Sequence, residues 1–296
     1  MSKQVGRKPS SYIADAIIVI IMLALMFITV YPLLYTVFAS FSDAKQLLKL
    51  EGPMWWPLEP FTLRGYELTF QNAKLVPSIF NTLFYVIVGT LGGLVITGMA
   101  AFVLSRKNFM LKNVIMKLIM FTMFFSGGII PLFFVVRQIG IYDTRWAFLL
   151  PWIMSAYNMI IMRTFFLGIP ESLEESATLD GATDLQIFFK IYVPLSTAVI
   201  AVIAMYYGVA WWNSWYQSLV FQPSNSLWPL QMILREVLIT NTKSATTDVT
   251  TMAEESYTRE LVKYCTVVVS TVPILIIYPF LQRYFVKGVM IGAVKG

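Results

Sequence analysis

Residues 171–182 read Glu171-Ser172-Leu173-Glu174-Glu175-Ser176-Ala177-Thr178-Leu179-Asp180-Gly181-Ala182, a polar stretch between two long apolar segments. Ser172 and Glu175 fit a capping box at the start of a short helix, and a second box begins at Thr183. Gly181 lies between the two, where glycine adopts without strain the left-handed conformation that ends many helices. The spacing therefore predicts a helix–glycine–helix motif.

The second helix of this motif is predicted to have an apolar face. Leu185, Phe188, Phe189 and Tyr192 follow the i, i+3, i+4, i+7 spacing that places side chains on one side of a helix. We call residues 168–192 the elbow. Two capped helices with an apolar face at a membrane surface form a docking surface for another protein.

The elbow carries a family resemblance. It is similar to the loop of ABC-importer permeases, whose pattern is Glu-Ala-Ala, three residues, Gly, nine residues, Ile, one residue and Leu-Pro. The matching residues are Glu175, Ser176, Ala177, Gly181, Ile191, Val193 and Pro194. Ser in place of the middle Ala and Val in place of Leu are departures that preserve small or apolar character. Residues 125–131 and 288–296 resemble the carbohydrate-importer branch of the same family.

The resemblance implies site residues in three places. The ATPase-coupling residues are Glu174, Glu175, Ser176, Ala177, Asp180, Gly181, Ala182, Phe188, Phe189, Ile191 and Pro194. The C-terminal residues Gly292, Lys295 and Gly296 are expected to reach the ATPases, the alternative being a mobile chain end. Asn241, Thr242, Lys243 and Ser244, in a long loop, are expected to contact a binding protein, the alternative being an idle solvated loop.

The resemblance also implies the partners. They are a second, homologous permease, two cytoplasmic ATPase subunits, an extracytoplasmic sugar-binding protein and a saccharide, expected to be an oligosaccharide. The chain itself is expected to have no catalytic residue, no metal and no cofactor, because ATP and Mg would be bound by the ATPase subunits. It would be a permease and not an enzyme.

Composition predicts a multi-pass membrane protein. The chain is 57% hydrophobic and 13% charged, with a mean hydropathy of +0.69, well outside the range of soluble domains. Six apolar stretches are long enough for a bilayer core, which needs about 20 residues: Ile13–Ala39, Ile79–Leu104, Val114–Val136, Ala147–Leu167, Val193–Phe221 and Tyr264–Phe285. We therefore predict an all-α fold with six transmembrane helices, the elbow lying between the fourth and the fifth.

Basic residues predict the orientation. Lys and Arg cluster before the first stretch, between the second and third, and after the sixth, which places these segments, both termini and the elbow in the cytoplasm. The domains are then a cytoplasmic segment 1–12, a transmembrane domain 13–285 and a cytoplasmic tail 286–296, in the cytoplasmic membrane of a bacterium. The net charge of +6 serves orientation, and no basic soluble face suggests nucleic-acid binding.

Several enzyme classes are excluded by the residues that the sequence lacks. The chain has no histidine and one cysteine, Cys265, so histidine-dependent triads, histidine-ligated zinc and disulfides are absent. The sequence also lacks the G-x-x-x-x-G-K-[ST] phosphate loop, so ATP hydrolysis belongs to another subunit. Cys265 is expected to be a small packing residue.

Polar residues within the apolar stretches are candidates for a substrate path, because aromatic faces and amides together hold sugars. They are Asn158, Trp211, Trp212, Asn213 and Gln217. Asn213 and Gln217 are expected to share a helix face at i, i+4. The alternative is an aromatic belt at the membrane interface. Arg163 either has a function or extends to the interface, and residues 126–128 either allow close helix packing or form a flexible point.

Other classes of protein remain open at this point. An ion-coupled secondary transporter would need buried acidic groups in its spans, and here they are nearly absent apart from Asp15. A membrane scaffold would use the elbow to dock a signalling partner. Within ABC importers, a permease for amino acids or peptides is the nearest alternative to a sugar permease.

Overall fold

The computed structural model describes residues 9–240, 257–277 and 279. Within these residues the secondary structure is helical without a strand, which confirms the all-α class. The helices are α1 (Pro9–Ser40), α2 (Ala44–Lys49), α3 (Arg64–Gln71), α4 (Leu75–Ser105), α5 (Lys112–Phe124), α6 (Ile129–Gln138), α7 (Arg145–Leu149), α8 (Ala156–Phe166), α9 (Glu171–Leu179), α10 (Asp184–Ile187), α11 (Val193–Leu195), α12 (Thr197–Trp212), α13 (Tyr216–Phe221), α14 (Leu230–Thr240) and α15 (Tyr257–Ile277).

Three described helices are long and apolar enough to cross a membrane by themselves: Asp15–Ser40 within α1, the whole of α4, and α15. Two further pairs, α5 with α6 and α10–α11 with α12, pass the same test together but are sharply bent. The described residues therefore contain three spans, or up to five if each bent pair is one span. The first two predicted stretches are continuous helices, whereas the sixth begins at Tyr257, earlier than predicted.

The third predicted stretch is not a continuous helix. A bend of 114° separates α5 from α6, and Gly128 at the break has φ 80°. Of the two alternatives for residues 126–128, the described residues show no close helix contact, because a Cβ on Gly127 or Gly128 would meet nothing within 4 Å. Pro131 lies in the first turn of α6, a position that proline tolerates.

The fourth and fifth predicted stretches are also broken. The fourth divides into α7, a 3-10 turn at Leu150–Trp152 that contains Pro151, and α8. The fifth has an 87° bend before α12 and ends its helix at Trp212, since Asn213 is the C-cap and α13 begins only at Tyr216. An apolar stretch of the right length thus need not be one straight helix.

The chain divides into two compact units, 1–71 with 237–269 and 72–236 with 270–296. In the first unit, the segment after α1 forms a small aromatic cap. Trp55 stacks on Phe27 and contacts Tyr31 with a tilted ring, and the Tyr31 hydroxyl accepts a hydrogen bond from Met54 N at 2.9 Å. Cys265 is fully buried as a free thiol in this unit. Its burial confirms the packing role.

The second unit is built around α4. Its core joins α4 to α8 and α12 through buried side chains, among them Tyr85, Phe102, Met162, Ile203 and Tyr207. Glycines on α4 let these helices approach closely, because a Cβ on Gly89 would lie 2.5 Å from the Trp211 ring and one on Gly93 would lie 3.1 Å from the Tyr207 ring. Small residues at helix contacts are the usual means of close packing in membranes.

The N-terminal end of α4 holds the segment that follows α13. Asn81 donates to the carbonyls of Ser226 and Trp228, and Thr82 Oγ1 accepts from Leu230 N at 2.8 Å. The hydroxyl of Tyr85 donates to Leu227 O at 2.8 Å. These bonds satisfy backbone groups that leave the helices within an apolar protein, where unpaired polar groups are costly.

We predict opposite effects for alanine at two helix glycines of this unit. Gly89→Ala should lower the unfolding temperature, because overpacking against the buried Trp211 ring costs about 1–3 kcal/mol, more than the gain of about 1 kcal/mol in helix propensity. Gly208→Ala is the control, since its nearest neighbour, Thr90 Oγ1, lies at 3.9 Å. The unfolding temperature of each purified variant is measured in detergent. Equal shifts of this temperature in the two variants would contradict the close contact at Gly89.

Candidate functional site

The first arm of the elbow is α9. The predicted capping box of Ser172 and Glu175 is wrong, because the helix begins at Glu171 and the N-cap residue is Pro170, which has no side-chain cap. Ser172 therefore lies inside the first turn. Glu171 and Glu174 occupy that turn, where negative charge interacts favourably with the helix dipole.

The turn between the two arms is the predicted glycine turn. Gly181 has φ 80°. Its N–H donates to Thr178 O, and Ala182 N donates to Ala177 O at 2.9 Å. This pair of bonds is the Schellman motif, which satisfies the last carbonyls of a helix. Ala177 and Ala182 both pack against the core.

The second arm begins at the predicted capping box. Thr183 Oγ1 accepts from Gln186 N at 3.4 Å, and Gln186 Oε1 accepts from Thr183 N at 2.9 Å. The box confirms the start of α10. After one turn, however, the chain widens into a π-helix at Phe188–Tyr192, and a π-turn shifts the positions of all later side chains around the helix axis.

The π-turn alters the predicted docking face. Phe188, expected to contact a partner, is 4% exposed and packs against Phe102, Phe189 and the Cα of Gly98. The prediction that Phe188 contacts a partner is therefore wrong, because its ring is part of the core of this unit. Leu185 and Phe189 remain exposed, as does Leu179 at the end of α9.

One arginine joins both arms to the end of α4. Arg106, the C-cap residue of α4, forms ion pairs with Glu174 on α9 and with Asp184 on α10, each at 2.5 Å. The second oxygen of Glu174 accepts a hydrogen bond from the Tyr192 hydroxyl at 2.9 Å. Glu174, predicted to couple to an ATPase, is thus engaged within its own chain, whereas Glu175 is exposed.

Further bonds fasten the same helix end. Lys107 pairs with Glu171, and Lys112 Nζ donates to Lys107 O at 3.0 Å. Arg163 of α8 donates from Nε to Leu104 O at 2.8 Å. Arg163 therefore caps α4, a structural role for the charge that the sequence left open.

The charges at this junction reinforce one another. Hydrogen bonding to the Glu171 carboxylate raises the pKa of Lys107 above its ordinary value. Burial alone would lower the pKa of Arg106, but the hydrogen bond to Asp184 and the nearby charge of Glu174 outweigh it and raise that pKa. Both side chains are cationic at neutral pH.

The second candidate site is an open cavity of about 870 Å³ between α8, α12, the segment after α12 and residues 274–275. Four of the five predicted substrate-path residues line it: Asn158, Trp211, Asn213 and Gln217. Its other polar and aromatic lining residues are Trp152, Ser155, Tyr157, Tyr206, Tyr207 and Ser214. The described lining residues supply rings, amides and hydroxyls together with aliphatic side chains such as Met205, Val209 and Leu275, and none of them is charged.

Two details of the predicted path are corrected. Trp212 does not line this cavity: it is buried in a separate cluster, and its indole N–H donates to Ser270 O at 3.1 Å. Asn213 and Gln217 do not share a helix face, because α12 ends before Asn213. The break between α12 and α13 nevertheless brings both amides to the same wall.

Sequence reasoning missed several site residues. Neither Arg106 nor Tyr207 was among the predicted site residues. The Tyr207 hydroxyl accepts from Ser155 N at 2.9 Å and pairs with Thr97 Oγ1 at 2.6 Å, which holds the N-terminus of α8 beside the cavity. No spacing rule reports such contacts, because the partners are far apart in the chain.

Two predicted sets lie outside the described residues. The binding-protein contacts Asn241, Thr242, Lys243 and Ser244 form one set, and the tail residues Gly292, Lys295 and Gly296 form the other. Both remain predictions.

Comparison with known proteins identifies the class. Residues 93–289 match the family described as binding-protein-dependent transport system inner membrane component. The chain is 36% identical over 285 residues, 95% of its length and 98% of the relative's, to the polygalacturonan/rhamnogalacturonan transport system permease protein YtcP of Bacillus subtilis. It is 38% identical to protein LplC of the same organism, over 91% of this chain and 90% of that one.

A solved structure is similar along most of the chain. It is described as a bacterial ABC transporter involved in the import of the acidic polysaccharide alginate, and it matches with a TM-score of 0.84 and 28% identity over 94% of this chain and 99% of that one. The fold is thus that of an ABC-importer permease, a transport component and not an enzyme. The chain belongs to the family of binding-protein-dependent transport system inner membrane components.

We predict that the Tyr207 hydroxyl stabilises the cavity wall. Tyr207→Phe should cost about 1–3 kcal/mol, because it leaves buried polar groups of Ser155 and Thr97 without their partner. Tyr157→Phe is the control, since Tyr157 borders the same cavity with an exposed ring. Thermal unfolding in detergent should show a loss for Tyr207→Phe only, and a similar loss in both would disprove the assignment.

Proposed function

We propose that this chain is one of two homologous permease subunits of a bacterial importer that takes up an oligosaccharide delivered by an extracytoplasmic binding protein. Two cytoplasmic ATPases drive the importer and dock at the elbow. The observation that carries this proposal is that one unit of the chain contains both a cavity lined by aromatic and amide side chains and an elbow that an ion pair joins to the end of α4.

The cavity fits a saccharide better than an ion or an amino acid. The C–H faces of sugar rings pack on aromatic rings, and sugar hydroxyls exchange hydrogen bonds with amides, which both donate and accept. An amino acid needs charged partners for its own two charges, and among the described residues that line the cavity none is charged. The names of relatives agree, since one transports polygalacturonan or rhamnogalacturonan and another arabinooligosaccharides.

The elbow fits an ATPase dock through side chains that its own chain leaves uncovered. Leu179, Leu185 and Phe189 are large, apolar and mostly exposed, and Glu175 and Asp180 lie nearby on exposed positions of α9 and its turn. Apolar groups rimmed by charges are typical of protein interfaces. Leu185 and Phe189 therefore keep their predicted contact with the ATPase. Leu179, and not Phe188, is the third apolar residue that we propose for this contact.

The topology follows from this assignment. Six spans, with both termini and the elbow in the cytoplasm, require the broken segment α7–α8 to be the fourth span and each bent pair to be one span. The boundaries 1–12, 13–285 and 286–296 remain our proposal for the domains. The tail residues Gly292, Lys295 and Gly296 would then lie on the side of the ATPases.

Reconstitution tests the proposed function. The chain is co-expressed with the second permease, the ATPase and the binding protein of the same importer, and placed in liposomes with labelled galacturonan, arabinan and alginate oligosaccharides, amino acids and dipeptides. We expect uptake of one saccharide class that requires ATP and the binding protein. Uptake driven by an ion gradient without ATP would establish a secondary carrier, and ATP-driven uptake of amino acids or peptides only would overturn the sugar assignment.

The turn at Gly181 provides a prediction for the dock. Gly181→Val should reduce uptake per ATP hydrolysed, because a β-branched residue in the left-handed conformation costs at least about 1–2 kcal/mol and loosens the turn between the arms. Gly181→Asn is the matched control at the same position, since Asn tolerates that conformation. A Cβ here would meet nothing within 4 Å, so backbone strain alone separates the two variants. Normal coupling in Gly181→Val would remove the turn from the mechanism.

The cavity amides provide another prediction. Asn158→Ala and Gln217→Ala should each slow saccharide uptake about fivefold at saturating binding protein, since one lost hydrogen bond is worth about 1 kcal/mol. Asn225→Ala is the control, because Asn225 is exposed in a short 3-10 turn outside the cavity. Binding-protein-stimulated ATP hydrolysis is measured in parallel to separate substrate passage from coupling. Unchanged uptake in both amide variants would place the substrate path elsewhere.

A further inference from the structure

We propose that Arg106 is the positioning residue that makes the elbow and α4 move as one body, and that it thereby transmits displacement of the elbow to the cavity wall. The inference rests on the proposed function of the elbow as an ATPase dock. It concerns a residue outside the elbow itself, in the turn that follows α4.

Arg106 is the shared partner of both arms. Its guanidinium binds Glu174 on the first arm and Asp184 on the second through different nitrogens, and it lies over the Phe102 ring at 5.2 Å. A planar guanidinium can hold two carboxylates in a fixed geometry, which a lysine ammonium cannot do. The arms therefore cannot change their angle to α4 without breaking these bonds.

The burial of the pair makes these bonds costly to break. The side chains of Arg106 and Glu174 are 19% and 16% exposed, whereas that of Asp184 is 77% exposed. Both oxygens of Glu174 are used, one by Arg106 and the other by Tyr192. Removing one partner of a buried ion pair leaves the other without compensation. The link through Glu174 is therefore the stronger of the two, and Asp184 adds the second arm.

A continuous set of contacts leads from this point to the cavity. Arg106 caps α4, and one face of that helix carries Gly93 and Gly89, whose Cβ positions would fall 3.1 Å from the Tyr207 ring and 2.5 Å from the Trp211 ring. Tyr207 and Trp211 line the cavity. With no free space at these contacts, a shift of α4 must displace the two rings, because packed interiors transmit strain.

Contacts alone do not prove coupling, so the test measures it. The variants are Arg106→Gln, Arg106→Lys, Glu174→Gln and the double variant Arg106→Gln with Glu174→Gln, in the full reconstituted importer. Uptake per ATP hydrolysed should fall about tenfold in Arg106→Gln, within the range of typical coupling between sites, and less in Arg106→Lys. The double variant should be no worse than the more affected single variant, because both changes remove the same link.

Assembly and stability are measured beside coupling. A bond with a purely structural role would lower the yield and the unfolding temperature but leave uptake per ATP unchanged in the complexes that assemble, and this result would overturn the inference. Glu174→Gln keeps the size of the side chain, so it tests the link even if Arg106→Gln fails to assemble. Effects of the two single variants that multiply in the double variant would also overturn it.

Arg64→Gln is the matched control. Arg64 forms an Arg–Glu pair with Glu67 in which both side chains are mostly exposed. Exposed pairs contribute little to stability, so Arg64→Gln should show the same uptake per ATP hydrolysed as the wild type. Failure of the proposed function is a separate outcome, because the wild-type complex would then show no ATP-driven uptake. A working wild type with normal coupling in Arg106→Gln and Glu174→Gln would reject the role of Arg106 alone.

Discussion

The close packing of α4 on its neighbours is the constraint on which the second unit depends. In a bilayer, lipid tails are as apolar as leucine, so helices associate through close contact and interhelical polar bonds. Gly89 and Gly93 provide the contact, and the Thr97–Tyr207 hydrogen bond provides a polar link. The cavity wall and the position of the elbow both follow from this packing, because each is attached to α4 or to a helix packed on it.

Breaks in the apolar helices are tolerated because side chains satisfy the exposed backbone. Ser155 N, at the start of α8, donates to Tyr207, and Leu230 N donates to Thr82. Without such partners these backbone groups would be left unpaired inside an apolar protein, which is costly. The break between α12 and α13 takes Asn213 and Gln217 off a common helix face, yet both residues line the same cavity.

The elbow combines internal rigidity with an uncovered surface. The half-buried carboxylate of Glu174 forms an ion pair with Arg106 and accepts a hydrogen bond from Tyr192, so both of its oxygens are engaged within the chain. Leu179, Leu185 and Phe189 are instead exposed. This division suits a part that must receive force without deforming. The exposed apolar side chains lie on the arms, and the ion pairs lie at the junction with α4.

The sequence by itself determined the class of the protein, the all-α fold, the left-handed turn at Gly181 and the capping box at Thr183, because these depend on composition and on residues a few positions apart. It also predicted four residues of the cavity wall. Only the tertiary structure decided that Phe188 turns inward, that Trp212 leaves the cavity and that Arg106 joins both arms. These outcomes depend on a π-turn, on helix breaks and on partners far apart in the chain, such as Arg106 and Asp184, which are 78 positions apart. Periodicity and short motifs carry no information about contacts at that separation.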